Sequence, residues 1–207
     1  LTLDPSVIQT TDDGQNPPVA GQSAADVSPN NFINKCALSL PQTPLTNGLQ
    51  ITTGSCNPIP IGQIPSVDAM PSCKFQNPPN LATIAPNTAF NVVLLQKNMQ
   101  LGVFTNAQKT YFGNPQALDG NGQIIGHQHI VIEAIDSITT VTPTDPKTFI
   151  FFKGVDDKVD GADTITVPVT AGLPAGVYRM GTIVSSQTHQ PAIVPIAQHG
   201  MLDDVVY

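Results

Sequence analysis

The chain contains no tryptophan and a single glutamate, Glu133, and only 11% of its 207 residues are charged, against about 25% in an average soluble protein. Solvent-facing helices are normally covered by Glu, Lys and Arg, so a helix-rich fold is not expected. The 20 prolines and 16 glycines argue the same way, since both residues weaken helix interiors. With one glutamate, any paired-carboxylate chemistry would fall to aspartates. The lack of Trp, with only 3 Tyr, removes the row of exposed aromatics that a strong polysaccharide binder uses.

Basic residues are scarce too. Lys and Arg total 8 against 15 acidic residues, for a net charge of −7, and no two of them are adjacent, so nucleic acid and anionic membrane are poor partners. No apolar run approaches the roughly 18 residues needed to span a bilayer. There is no Asn-x-Ser/Thr sequon, Gly-rich phosphate loop, nucleophile elbow or Cys-x-x-Cys pair. Ser185, Ser186 and His189 are close in sequence, yet nothing fixes a base and an orienting acid around either hydroxyl.

What is present is concentrated late in the chain. The four histidines, His127, His129, His189 and His199, all lie beyond residue 126. Two of them open the segment His127-Gln-His-Ile-Val-Ile-Glu133, where a two-residue step puts both imidazoles on one face of a strand. A third imidazole from a neighbouring strand would complete the three-nitrogen set that Cu(II) or Zn(II) prefers. His189, in Thr188-His-Gln-Pro191, is the expected third ligand, and His199, in Gln198-His-Gly200, a fourth or an outer one. Glu133 shares the face of His127 and His129 but lies about 13 Å beyond His129 at roughly 3.3 Å per residue, which makes it an outer group at most. The plainer alternative is that these histidines simply hydrogen-bond backbone groups.

Three cysteines, Cys36, Cys56 and Cys73, suit one disulfide. Cys36 to Cys56 is the preferred pair because it closes a loop of about 20 residues around Pro44-Leu-Thr-Asn-Gly48, worth roughly 3 kcal/mol in the chain-entropy model; Cys56 to Cys73 stays open as the alternative, and Cys73 is otherwise a free thiol. Residues 1–80 read as extended and turn-rich, with short edge strands the most they allow. Within them Phe32, Ile33, Leu38, Leu40, Leu49 and Ile51 supply apolar surface, so order is expected from Asn30 onward.

The second half carries strand-like segments with turns between them, the pattern of an all-β sandwich. Expected strands are 90–96, 125–135, 148–153, 164–169, 176–186 and 192–197. Ile165, Val167 and Val169 alternate cleanly, and Ile130-Val-Ile-Glu-Ala134 is apolar on both faces, as a central strand would be. The connection between Asn98 and Gly122 is long enough to be functional. Asp156-Asp-Lys-Val-Asp-Gly161 with Asp163 looks like a calcium loop, but Lys158 replaces the oxygen ligand expected at its third position and no Glu follows at the twelfth, so a solvated turn is expected. Asp119-Gly-Asn-Gly122 is read as a turn.

The segments Asn30-Asn-Phe-Ile33, Thr46-Asn-Gly-Leu-Gln-Ile-Thr-Thr-Gly-Ser-Cys-Asn-Pro58, Ile124-Ile-Gly-His-Gln-His129, Phe151-Phe-Lys-Gly154, Gly172-Leu-Pro-Ala-Gly176, His189-Gln-Pro191 and Ala197-Gln-His-Gly200 resemble a family of secreted basidiomycete proteins, some misleadingly labelled ribosomal. The resemblance covers nearly the whole chain and implies secretion, but no activity. Residues 124–196 are more weakly similar to a bacterial periplasmic domain with a His-x-His strand. The His-x-His-x-x-x-Glu spacing also resembles the first cupin motif, but the second motif fails, since Pro174-Ala-Gly176 is followed by Val177-Tyr-Arg179 and not by a nearby His.

The sequence therefore predicts one secreted, all-β domain, an Ig-like antiparallel sandwich over 86–207 with an extended proline-rich segment over 1–85. Its expected function is to hold one transition metal ion, Cu or Zn, without implied catalysis. The competing expectations are a metal-free structural or interaction protein of the fungal surface, whose partner is a wall polymer or a second secreted protein, and a cupin-like metal-dependent enzyme. The chain starts at Leu1, and removal of a signal peptide is the expectation for that end.

Overall fold

The computed structural model describes residues 3–8, 17, 27–39, 41–49, 53, 55–107, 111–112, 114–155 and 163–207. The aspartate-rich stretch 156–161, most of the segment 1–28, Leu40 and Ile51 lie outside the described residues. Two compact units are formed, Leu1–Asn47 with Ile51–Pro58, and Gly48–Gln50 with Ile59–Tyr207.

In the first unit the prolines leave room for two short 3-10 turns, Pro5–Val7 and Lys35–Ser39. Its clasp is the Cys36–Cys56 disulfide, with Cα atoms 5.6 Å apart. Beside it Cys56 N–H donates to Pro44 O (2.9 Å) and Thr46 N–H to Cys56 O (3.0 Å), a bridge that buries Cys36 and Thr46. The preferred cysteine pairing thus holds, and Cys73 is the free thiol.

The second unit is all-β. Its strands are β1 (Ser72–Asn77), β2 (Phe90–Lys97), β3 (Met99–Gln100), β4 (Ile124–Ile135), β5 (Phe151–Val155), β6 (Thr164–Val169), β7 (Val177–Ser186) and β8 (Val205–Val206). They form a three-stranded sheet in the order β1-β2-β6 and a five-stranded sheet in the order β3-β4-β7-β8, with β5 also paired to β4. On β6, Ile165, Val167 and Val169 are buried while Thr166 and Pro168 face out. The proline fits because β6 pairs only with β2, so an edge strand loses no ladder hydrogen bond to the missing N–H. β1 is likewise a short edge strand, with only Phe75 buried.

β4 is the central strand that its two-faced apolarity predicted, flanked by β3 and β5 on one side and β7 on the other. Its core face carries Gln128, Ile130 and Ile132, and one apolar cluster joins these isoleucines and Met180 and Val184 of β7 to Val92, Leu94, Ile165 and Val167 of the other sheet. Burial of each such side chain contributes about 1.5–3 kcal/mol. The two sheets therefore pack as a sandwich and stay separate, since their strand pairing does not close into a barrel.

Two strand expectations change. The strand expected over 148–153 is displaced to 151–155, leaving Phe149 and Ile150 exposed. Over 192–197 there is no strand among the described residues, only a bridge between Ser185 and Pro191. Pro191 and Pro195 cannot donate to a ladder, and the backbone of Ile193 is met instead by the buried Gln116 side chain, through N–H to Oε1 and Nε2 to O, both 3.0 Å.

Gly126 sets how closely β4 and β7 approach. A Cβ there would stand 2.0 Å from Ser185 O and 2.9 Å from Ser186 Cα, so Gly126→Ala must push the two strands apart. The expected loss is about 3 kcal/mol or more, read as a lower denaturant midpoint. Replacing Cys36 and Cys56 by alanine should cost the first unit roughly 3 kcal/mol, measured as faster proteolysis between residues 27 and 58.

Candidate metal centre

Alternation on β4 turns His127 and His129 away from the core, onto the outer face of the five-stranded sheet. Opposite them on β7 lie Ser185 and Ile183. Both imidazoles are nevertheless buried, His127 at 2% and His129 at 8% exposure. Part of their cover is the long connection between β3 and β4: Phe104 meets the His127 ring edge-on, centroids 6.0 Å apart.

The same two rings are oriented by backbone carbonyls. His127 Nδ1 lies 3.3 Å from Val103 O and His129 Nδ1 3.0 Å from Ile183 O. A carbonyl only accepts, so each Nδ1 carries the proton and each Nε2 keeps its lone pair, the arrangement a metal-binding histidine requires.

His189 arrives from a turn. β7 ends at Ser186, and His189 N–H donates back to Ser186 O at 3.0 Å. The turn is fixed by Thr188, which is fully buried and whose hydroxyl donates to Asn114 O at 3.0 Å, while Phe112 N–H donates to Thr188 O at 2.9 Å. His189 itself adopts φ +75, a left-handed conformation that costs a non-glycine residue about 1–3 kcal/mol. This places its ring against the other two, with centroids 4.6 Å from His127 and 5.9 Å from His129. Its Nδ1 is buried and has no hydrogen-bond partner among the described residues.

One ligand atom from each of His127, His129 and His189 lies within 4.8 Å of the others. Tetrahedral metal–nitrogen bonds of about 2.1 Å require nitrogens about 3.4 Å apart, so the set would draw closer around an ion. Among the described residues no carboxylate or thiolate joins it. Burial pushes the His129 ring below its ordinary pKa against the opposing pulls of Ile183 O and Asp203, and burial together with the His129 ring does the same to His189. Both rings therefore favour the neutral form that binds metal.

The other expected residues lie elsewhere. His199 is exposed, with Nδ1 2.7 Å from Gly200 O, because the strand that was to deliver it does not form. Glu133 is opposite Arg179 on the β4–β7 ladder and accepts from its Nε (2.9 Å) and Nη2 (2.6 Å). Burial raises the Glu133 carboxyl, but Arg179 and the Thr144 hydroxyl outweigh it and hold the group below its usual range.

Sequence reasoning did not find Phe104, Phe152 and Tyr111 as neighbours of the cluster. It also missed a cavity of about 570 Å³ lined by Pro79, Ile84, Phe90, Leu173, Tyr178 and Tyr207 among others. Among the described residues that line it, Tyr178 and Tyr207 are the titratable side chains.

The chain matches the family described as the CLU5d N-terminal domain over residues 73–207. It is 44% identical over 205 residues to "Pathogenicity cluster 5 protein d" of Colletotrichum graminicola, a match covering 99% of this chain and 42% of that protein. No solved structure matches. The chain belongs to this fungal family, which is not specific to basidiomycetes, so the expected resemblance stands in that broader form.

The pH dependence of the metal-free protein tests the neutral state of the rings. Unfolded histidines take up protons below about pH 6.5, whereas the folded rings resist them, so the unfolded state binds more protons and stability falls as pH drops from 7.5 to 5.5. Glu133 and Asp4, held below their ordinary values, lose their contributions only below about pH 4.5. The denaturant midpoint should therefore drop over this window, and His129→Gln combined with His189→Asn should flatten the slope.

Proposed function

Taking membership of this fungal family as the premise, we propose that the chain binds one transition metal ion, Cu or Zn, through His127, His129 and His189. The observation that carries this reading is the convergence of three ring nitrogens within 4.8 Å, two of them on rings oriented by backbone carbonyls. The strained backbone at His189 supports it, since a left-handed non-glycine residue persists where the surroundings demand it. When bound, the metal would have three neutral nitrogen donors and at least one open position. His199 and Glu133 take no direct part. No catalysis is implied.

The protein is proposed to act outside the cell. The Cys36–Cys56 disulfide supports this, because such bonds persist in oxidising compartments, and no helix among the described residues is long and apolar enough to cross a membrane. The activity of the relative's whole chain is not transferred, as this chain spans 42% of it. A second reading, an interaction protein without metal, is favoured by the exposed Phe149, Ile150, Phe152 and Ile183.

Elemental analysis of protein prepared without tag or chelator, followed by titration of the stripped protein with Cu(II) and Zn(II), separates the two. About one tightly held equivalent is expected, with a rise in melting temperature equivalent to about 4 kcal/mol at a thousandfold excess over Kd. His129→Ala should lose both the metal and the rise. His189→Asn, which tolerates the left-handed backbone, should lose metal while keeping the metal-free fold. Unchanged metal content and melting temperature in both variants would leave the interaction reading.

A further inference from the structure

At the end of the sandwich away from the histidines, the core face of the five-stranded sheet sets Ile132, Met180 and Val206 side by side, paired in register across β4, β7 and β8. All three are buried. The facing sheet does not cover them with a strand. It contributes Phe90, the first residue of β2, and beyond it the walls are two connections, 78–86 between β1 and β2 and 173–176 between β6 and β7. The space they enclose is the cavity of about 570 Å³, within the span of roughly 300–1,000 Å³ common to small-molecule sites.

Apolar side chains stand around this space and do not fill it. Leu81, Ile84 and Ile138 line it, yet they are 62%, 38% and 55% exposed, so the buried floor opens to solvent between them. The connection 78–86 is tied at both ends. Leu81 N–H donates to Tyr207 O (2.6 Å) and Tyr207 N–H to Asn80 Oδ1 (2.9 Å), while Asn87 N–H donates to Leu173 O (2.7 Å). Leu81 takes φ +64, a left-handed conformation that a bulky residue keeps only where its surroundings demand it. Pro78, Pro79 and Pro86 stiffen the same wall. These ties hold the wall off the floor.

The lining also specifies the charge of a ligand. No charged side chain lines the cavity among the described residues. Arg179, between two lining residues of β7, is already engaged by Glu133 and Thr144. Val155 and Thr164, on either side of the aspartate-rich stretch, pair with Gln128 and Leu95 toward the histidine end. An ionised ligand would lose its hydration here without a partner. One polar group is offered. Tyr178 Oη donates to Pro174 O at 2.8 Å, over the exposed turn 174–176, and its lone pairs can accept from a ligand hydroxyl.

We propose that this cavity binds a neutral, largely apolar small molecule, with its hydrocarbon part on Ile132, Met180 and Phe90 and a terminal hydroxyl donating to Tyr178 Oη. Burial of the hydrocarbon supplies the affinity, in proportion to the apolar area removed from water. The tyrosine at the mouth sets the orientation. The site is independent of the metal reading, since none of its residues belongs to the histidine cluster.

Straight-chain alcohols test it, with decanoate as the charged control. 1-Hexanol, 1-octanol and 1-decanol are titrated into the protein while the methyl NMR signals of Ile132 and Met180 are followed. Both signals should move, and affinity should rise about fourfold for each added methylene. Decanoate, of the same chain length as 1-decanol, should bind at least about tenfold more weakly. Ala175→Trp, in the exposed turn, should block the mouth and abolish binding with the melting temperature unchanged. Tyr178→Phe should weaken every alcohol about fivefold and keep the dependence on chain length. Methyl signals that no alcohol moves, wild-type binding by the Ala175→Trp variant, or decanoate held as tightly as 1-decanol would each overturn the proposal. The histidine cluster is judged separately, by metal content.

Discussion

The β4–β7 ladder is the constraint on which the rest depends. Ten opposed pairs run from Gly126 and Ser186 to Ile135 and Val177, and they fix which side chains enter the core and which leave it. A slip of one residue would exchange the faces. It would drive His127, His129 and Glu133 into the apolar cluster and expose Ile130 and Ile132. The absence of a side chain at Gly126 lets the strands approach at the one point beside the first histidine, where any Cβ would collide with the β7 backbone. The same register pairs Glu133 with Arg179 at the far end of the strand, so the one glutamate of the chain serves the ladder.

The histidine cluster is built on the face of that ladder turned away from the core, from local elements that differ in kind. His127 and His129 are held on a rigid central strand, and their tautomers are set by carbonyls of a loop and of the neighbouring strand. His189 sits beyond the end of β7, in a turn held by Thr188, Asn114, Phe112 and Gln190. Its positive φ is stabilised by that network and directs the ring toward the other two. Burial keeps the two shifted imidazoles neutral, so the arrangement prepares lone pairs for a cation while burying little charge of its own. On the proposed metal reading, this preorganisation would lower the cost of assembling the ligands.

Much of this was legible in the chain. The low charge and the many prolines and glycines excluded helices, and alternation in Asp163-Thr-Ile-Thr-Val-Pro-Val169 found β6 because a half-buried strand repeats every two residues. The His-x-His step put two ligands on one face for the same reason. The Cys36–Cys56 pair followed from loop length and turn content. Less was legible where the signal is not periodic. The segment 192–197 reads as an apolar strand, but Pro191 and Pro195 lack ladder donors and the Gln116 side chain takes the place of a neighbouring strand. His199 lost its expected position with that strand. Nor does any local pattern mark Glu133 as the partner of Arg179, since the two lie 46 residues apart.

The sequence by itself determined the all-β class, the two-residue spacing that makes His127 and His129 neighbours and the shortage of basic charge that would attract nucleic acid, and it favoured the Cys36–Cys56 clasp without excluding Cys56–Cys73. These follow from composition and short-range geometry, which the chain carries at every point. Only the tertiary structure decided that His189 and not His199 meets the first two histidines, that Phe104, Phe152 and Tyr111 surround them, and that Glu133 serves an ion pair. Those outcomes depend on which strands pair and in what register, and that is settled by long-range packing between segments whose local sequences contain no record of one another.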